Sequence, residues 1–370
     1  YTYVVSYIMN GSEPATDDNG DTIYKVSVVG VRGGSSGGSL ATQSLTAGVV
    51  VRDASAVGVW DAAIIGCRQV LFEDSVSVEG DVLSTNAIAS MMLTDDGAID
   101  GNVFYTDSYS KSPFFAIDGD ATLADEAECD PLVVSNVFGT HLSVFADNDQ
   151  SQNDYEQPTS GGKRRDDTIS SDKYYDDFVF RDKKLTFEGT TNIYVQNKLE
   201  LREANIDVKN DSDVINIYVG SPDDSDYDGD VLIHDVKFGV KGTLNIYVAD
   251  EFLLKGTEIN FQGTSPQFNV LVGSPDGAAF DGNVEIEESF FTGGGSGRAS
   301  EEFITIFGLF GDSEVEEPSN VCNGERNGSM TVADTPSGKT FGGRLYAPRA
   351  HICVDDAQFR GSIRGYDVIL

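Results

Sequence analysis

Residues 192–195 read Asn192-Ile193-Tyr194-Val195, and the same four residues return as Asn216-Ile217-Tyr218-Val219 and as Asn245-Ile246-Tyr247-Val248. A degenerate copy, Asn269-Val270-Leu271-Val272, follows, so the starts lie 24, 29 and 24 residues apart. Two steps make an offset of 53 residues, which also carries Val219-Gly220-Ser221-Pro222-Asp223 onto Val272-Gly273-Ser274-Pro275-Asp276. Self-similarity at a period in this range marks stacked repeat architectures.

The repeat has physical content because apolar positions alternate with polar ones, as one face of a strand requires. At the 53-residue offset Ile193 and Val195 map to Ile246 and Val248, and Leu199 and Leu201 to Phe252 and Leu254. Ile206 and Val208 map to Ile259 and Phe261, and Val231 and Ile233 to Val284 and Ile286. Each repeat therefore offers two or three short strands between Gly, Asp and Ser corners. Such strands pair in parallel with their counterparts one repeat away, about 4.8 Å on. The pattern predicts an all-β chain whose residues 181–370 form a parallel β-helix (β-solenoid).

Working outward, residues 1–60 alternate through Tyr3, Val5, Tyr7, Ile23 and Val29 around the turn Asp18-Asn19-Gly20-Asp21, which predicts an N-terminal antiparallel β cap. Residues 61–145 carry a looser phrase, Val78-Glu79-Gly80-Asp81-Val82, Ile99-Asp100-Gly101-Asn102-Val103 and Ile117-Asp118-Gly119-Asp120-Ala121, and read as the first solenoid turns. Glycine at each repeated corner suggests positive φ there. Residues 146–180 form a polar loop excursion, whose Gly161-Gly162-Lys163-Arg164-Arg165 is a solvated basic run or a spot for a partner or protease.

With 61 acidic against 25 basic residues and a net charge of −36, the chain lacks the cationic surface that phosphate neutralisation requires, which excludes nucleic acid as a partner. The acidity suits extracellular surroundings. No run of 18 apolar residues exists, so this chain has no membrane span. Four cysteines, Cys67, Cys129, Cys322 and Cys353, are too widely spaced for a zinc ribbon or a CxxC pair and read as disulfide candidates. Three connectivities are open. Closeness along the chain favours Cys67–Cys129 with Cys322–Cys353.

The sharpest chemical signal is Asp224-Ser225-Asp226-Tyr227-Asp228-Gly229-Asp230, with an apolar residue at the eighth loop position and Asp235 at the twelfth. Carboxylates at alternate positions before a glycine resemble an EF-hand calcium loop, making Asp224, Asp226, Asp228, Asp230 and Asp235 candidate ligands for calcium. The copy 53 residues on, Gly277-Ala278-Ala279-Phe280-Asp281-Gly282, keeps only the Asp-Gly corner, so turn formation by itself accounts for Asp228 and Gly229. Catalytic signals are weak. Gly33-Gly34-Ser35-Ser36-Gly37 matches the hydrolase elbow, yet strand-like sequence rather than a helix follows it. Glu301-Glu302 and Asp355-Asp356 are adjacent pairs that point to opposite faces of a strand, and His141, His234 and His351 stand apart from any nucleophile.

At the C-terminus, Phe341-Gly342-Gly343-Arg344-Leu345-Tyr346-Ala347-Pro348-Arg349-Ala350 leads into Phe359-Arg360-Gly361-Ser362-Ile363-Arg364-Gly365. This resembles the end of the PilX-like pilus-assembly proteins, loosely over 60–370 and most specifically over 341–365. The resemblance implies an exported, non-enzymatic cell-surface structural or adhesive protein, with a pilin-type apolar helix upstream of Tyr1. Its partners would be other pilus or filament subunits, further copies of itself and surface glycans. Two alternatives stand beside it. One is a β-helix that binds or degrades polysaccharide, in the manner of a lyase or tailspike. The other is a self-assembling filament, because a chain ending on Tyr366-Asp367-Val368-Ile369-Leu370 offers a strand edge that another copy can complete.

Overall fold

A computed structural model describes residues 2–7, 9–10, 13–14, 23–32, 41–50, 62–72, 76–84, 87–90, 97–110, 112–113, 115–123, 140–146, 153–160, 162–221, 229–273, 282–293, 303–309 and 329–370. The chain divides into two compact units, Tyr1–Val57 and Gly58–Leu370. In the first, the strands Thr2–Tyr7, Ile23–Arg32 and Ala41–Val50 form an antiparallel sheet with Ile23–Arg32 in the middle. Tyr7 pairs with Tyr24 and Ile23 with Val50, as the alternation of this segment anticipates.

The second unit is almost all β, with every strand of its large sheet paired in parallel and one helix, His141–Ala146, among the described residues. Its strands stand in three columns. In the first column the recurring phrase is in register: Asn192 pairs with Asn216, Asn216 with Asn245 and Asn245 with Asn269. The second column aligns Leu199, Val231, Phe252 and Val284. The third aligns Ile206, Phe238, Ile259 and Phe291. Alternation does the rest. Ile193, Ile217, Ile246 and Val270 are buried in one continuous core with Leu201, Ile233, Leu254 and Ile286 and with Val208, Val240 and Phe261. Each such side chain contributes roughly 1.5–3 kcal/mol by leaving water.

Parallel pairing begins earlier than the repeat suggested. Asp167–Ile169 and Lys173–Arg181, within the stretch read as a polar excursion, are already strands of the third column and of the first two. Residues 153–157 lie along the outer edge of Lys173–Arg181. Tyr155 N donates to Asp177 O at 2.7 Å, and the Tyr155 ring stacks on Phe178 with centroids 4.2 Å apart, closing the end of the core. Polar composition marked this segment as loop, while the half-buried Tyr155 and the buried Phe178 and Phe180 carry its packing.

The looser N-terminal phrase also stacks in register: Ile99 pairs with Val78 and with Ile117, and Val103 with Val82 and Ala121. Its glycines serve contact more than φ. Gly80 has φ +120°, but a Cβ on Gly101 would sit 2.3 Å from Gly80 O and one on Gly119 2.4 Å from Gly101 O. The corners approach too closely for any side chain.

Stacking order departs from chain order at one place. The strand Phe359–Ile369 pairs on one side with Phe341–Asp355, through Leu345 and Ile363, and on the other with Ile64–Phe72, where Ile363 meets Ile64. The early strands thus follow the last ones in space. The C-terminal strand is covered on both edges, which removes the open edge on which the self-assembling filament reading relied.

A buried ion cluster sits at this seam. Arg68 Nε donates to Asp367 Oδ1 at 2.8 Å, a second Arg68 nitrogen reaches Asp367 Oδ2, and His351 Nδ1 lies 2.8 Å from the same oxygen. The Asp367 side chain is 1% exposed. Burial pushes its carboxyl pKa up, and the hydrogen bonds and charges of His351 and Arg68 more than offset this, holding it below the ordinary aspartate value.

Candidate functional site

The outward side of the first column carries the side chains that the alternation does not bury. Asparagine comes first: Asn216 Nδ2 donates to Asn192 Oδ1 at 3.0 Å, Asn245 to Asn216 at 2.9 Å and Asn269 to Asn245 at 2.9 Å. Each amide gives to one neighbour and accepts from the next, so the row is self-satisfying. Asp172 terminates it, accepting from Asn192 N at 2.8 Å and facing the Asn192 amide at 3.3 Å. At the other end Thr305 takes the next position and the amide row stops.

Two residues on, the tyrosines of the phrase stack on one another. Tyr174, Tyr194, Tyr218 and Tyr247 have successive centroids 4.6, 5.2 and 4.7 Å apart and nearly parallel planes. The row continues in register as Leu271, Phe307, Tyr346, Arg364, Ile65 and Leu83. From Tyr218 onward it is buried. The helix His141–Ala146 packs there: Phe145 is fully buried against Tyr247, and His141 Nδ1 lies 2.6 Å from the Tyr218 hydroxyl. Burial raises the Tyr218 and Tyr247 pKa values and lowers that of His141, so each is held neutral. Sequence alternation missed this outer layer. Its available signal was the tyrosine conserved in place across three copies of the phrase within this chain, on the face where a solvated strand carries polar residues.

At the free end of the tyrosine row lies a depression of about 380 Å³ lined by Asn153, Asp154, Asp172, Lys173, Tyr174 and Tyr175. Asn153, Asp154, Asp172 and Lys173 are exposed, and Tyr174 is half-buried. Tyr175 turns inward against Tyr155, and burial pushes its pKa up to about 12.

Of the predicted calcium ligands, Asp224, Asp226 and Asp228 lie outside the described residues. Asp230 opens the strand Asp230–His234 and Asp235 follows it at an exposed corner, with φ 54°. An extended strand of this length separates the two Cα atoms by about 16 Å, so they cannot share an ion that holds its oxygens within about 2.6 Å. Asp235 instead faces His234 Nδ1 at 3.2 Å. An EF-hand brings its twelfth position back through a helical turn; here a strand carries it away. Gly229 has a role without metal, since a Cβ there would lie 2.7 Å from the Ala249 Cβ. Among the described residues no group of three His, Cys, Asp or Glu side chains is arranged to hold a metal ion.

Cys67 and Cys353 are both disulfide-bonded, whereas Cys129 and Cys322 lie outside the described residues. Cys353 pairs with Ile369 and Ile369 with Leu71, so Cys353 and Cys67 are at least two strand spacings apart, about 10 Å. That exceeds the roughly 7 Å Cα separation a disulfide bridges. The connectivity that joins Cys67 to Cys353 is thereby excluded, and two of the three remain. Among the described residues no helix is long and apolar enough to cross a membrane. Gly33–Gly37 and the Glu301-Glu302 pair lie outside the described residues. Comparison of the chain with family models, curated proteins and solved structures returned no match.

Proposed function

We propose that the parallel strands wind as a β-helix and that the protein is an exported, non-enzymatic structural or adhesive module, a stiff rod at a cell surface or in an extracellular filament. The observation that carries this reading is the first column. Its parallel register joins corresponding strands of successive repeats rather than chain neighbours, and identical amides and rings stack along it. The residues between two paired strands of the first column themselves form strands of the second and third columns, as successive coils of a β-helix do. Hydrogen bonds and rings repeated at every step stiffen a rod along its axis.

The Glu285–Glu287 pair is not spaced for glycosidase chemistry. Glu285 and Glu287 hydrogen-bond each other, with Lys255 on Glu287. Carboxyls in direct contact leave no room for the sugar that a glycosidase pair flanks at about 5 Å or more. Disulfides support export. Association with type IV pili or a related filament rests on the resemblance over 341–365, a stretch whose glycines also serve the pairing of the last two strands: a Cβ on Gly361 would lie 1.9 Å from Gly343 O. A calcium ion bound by Asp224, Asp226, Asp228 and Asp230, without Asp235, belongs to the same proposal.

Incubation of the full chain with acidic and neutral polysaccharides tests the reading. The expected result is no release of reducing ends or unsaturated products. Steady release of either overturns it and favours a polysaccharide-degrading β-helix.

A further inference from the structure

The tyrosine row ends on a ring with one stacking partner. Tyr194 covers one face of Tyr174 at 4.6 Å and 6°, among the described residues no ring covers the other, and Tyr174 lines the depression at that end. We propose that this depression binds one uncharged pyranose ring of a glycan, with Tyr174 as its floor.

Three features argue for a sugar. A flat apolar surface flanked by a few hydrogen-bonding groups is the surface that a pyranose, with its C–H face and its rim of hydroxyls, complements. Asn153 and Asp154 stand on the end segment, and Asp172 and Lys173 precede Tyr174 in the chain, supplying acceptors and donors from two elements. Asp172 is already oriented, because its carboxylate accepts from Asn192 N at 2.8 Å and terminates the asparagine row. The rings behind Tyr174 hold it in place, so binding orders little that is not ordered beforehand. A volume of about 380 Å³ is at the small end of ligand sites and suits a single ring. Two carboxylates against one ammonium disfavour uronates and sulfated sugars.

The proposal deepens the adhesive side of the reading above and rests on it only for the setting in which glycans are met. Saturation-transfer NMR on the full chain, with methyl pyranosides and neutral tetrasaccharides against uronate oligomers, tests it. The expected result is saturable transfer from neutral sugars, with Kd on the order of 1 mM, and at least about tenfold weaker binding of uronates. Tyr174→Leu and Asp154→Ala are expected to weaken binding at least about tenfold, and Tyr174→Phe to retain it within about threefold. Should Tyr174→Leu fail to fold, loss in Asp154→Ala with retention in Tyr174→Phe supports the site, since Asp154 is exposed. No saturable transfer from any neutral sugar overturns the proposal, as does undiminished binding by Asp154→Ala or by folded Tyr174→Leu. Such a failure leaves the rod reading standing, whereas release of reducing ends sinks the non-enzymatic reading and leaves the binding site standing.

Discussion

The regular ladder of residues 190–272 and the seam where Phe359–Ile369 meets Ile64–Phe72 use the same parallel pairing, yet different side chains hold them. In the ladder each step joins Asn to Asn, and the first two also join Tyr to Tyr, across 24 or 29 residues. At the seam the backbone also pairs like with like, Ile363 with Ile64 and Val368 with Val70, but the side-chain lock joins unlike partners 299 residues apart, Arg68 and Asp367. A repeated sequence makes its own neighbour complementary at no added specification. A junction between distant segments needs a lock that fits only one partner, and a buried ion cluster supplies it, because a misplaced charge there would stay unpaired.

The largest expected effect breaks that lock. Arg68→Ala leaves Asp367 buried without its bidentate partner and is expected to cost about 3–5 kcal/mol by chemical denaturation. Hydrogen exchange should then quicken in residues 64–72 and 359–369 while residues 190–261 keep their protection. Uniform loss across both regions would show that they unfold as one unit.

The converse change strikes the ladder. Asn216 is buried, donates to Asn192 and accepts from Asn245, so Asn216→Ala leaves two amides short of a partner at a cost of about 1–3 kcal/mol. Exchange should quicken around residues 190–248 with the seam unchanged. A loss below about 0.5 kcal/mol would mean that water replaces the amide without penalty.

The two regions should also answer pH in opposite directions. Asp367 has a lowered pKa, so its contribution to the seam is present above the unfolded aspartate value near about 4 and is lost as pH falls through its lower folded value. In the strand Asn283–Glu287, which extends the ladder's second column, the hydrogen bond with Glu287, then burial and the Glu287 charge, push the Glu285 pKa up to about 7. Its contribution is present below the unfolded glutamate value and is lost as pH rises through about 7. Exchange mapped across pH should show acid opening the seam first and neutral to alkaline pH loosening the strand Asn283–Glu287. Glu285→Gln should remove the second response, and its persistence would assign that response to another group.

The smallest effect concerns calcium. Residues 224–230 fall within the sequence span of the ladder, so calcium should protect the ladder and not the seam, by about 0.4 kcal/mol when free calcium equals Kd. Titration calorimetry on the full chain with Asp226→Ala as control measures it. Heats identical with and without Asp226 would remove the site.

Local alternation was legible wherever one face of a strand is buried. Ile193, Ile217 and Ile246 announce the core, and the spacing of their copies announces the register, because backbone pairing in parallel aligns equal positions. The glycine phrase at 80, 101 and 119 was legible as stacking corners but not as close backbone contacts, since spacing does not report distance. Tyr155 was hidden in a polar segment, where composition averages away the rings that pack at the end of the core.

The sequence by itself determined an all-β chain, the period of its repeats and the inward residues, because these follow from the two-residue alternation of a strand and the identity of stacked copies. Only the tertiary structure decided that Ile64–Phe72 stacks after Phe359–Ile369, that tyrosines line the outer face beneath a six-residue helix, and that Tyr174 ends the row beside a depression. Those outcomes depend on contacts between segments far apart in the chain, and complementarity between surfaces is settled by shape and charge in three dimensions.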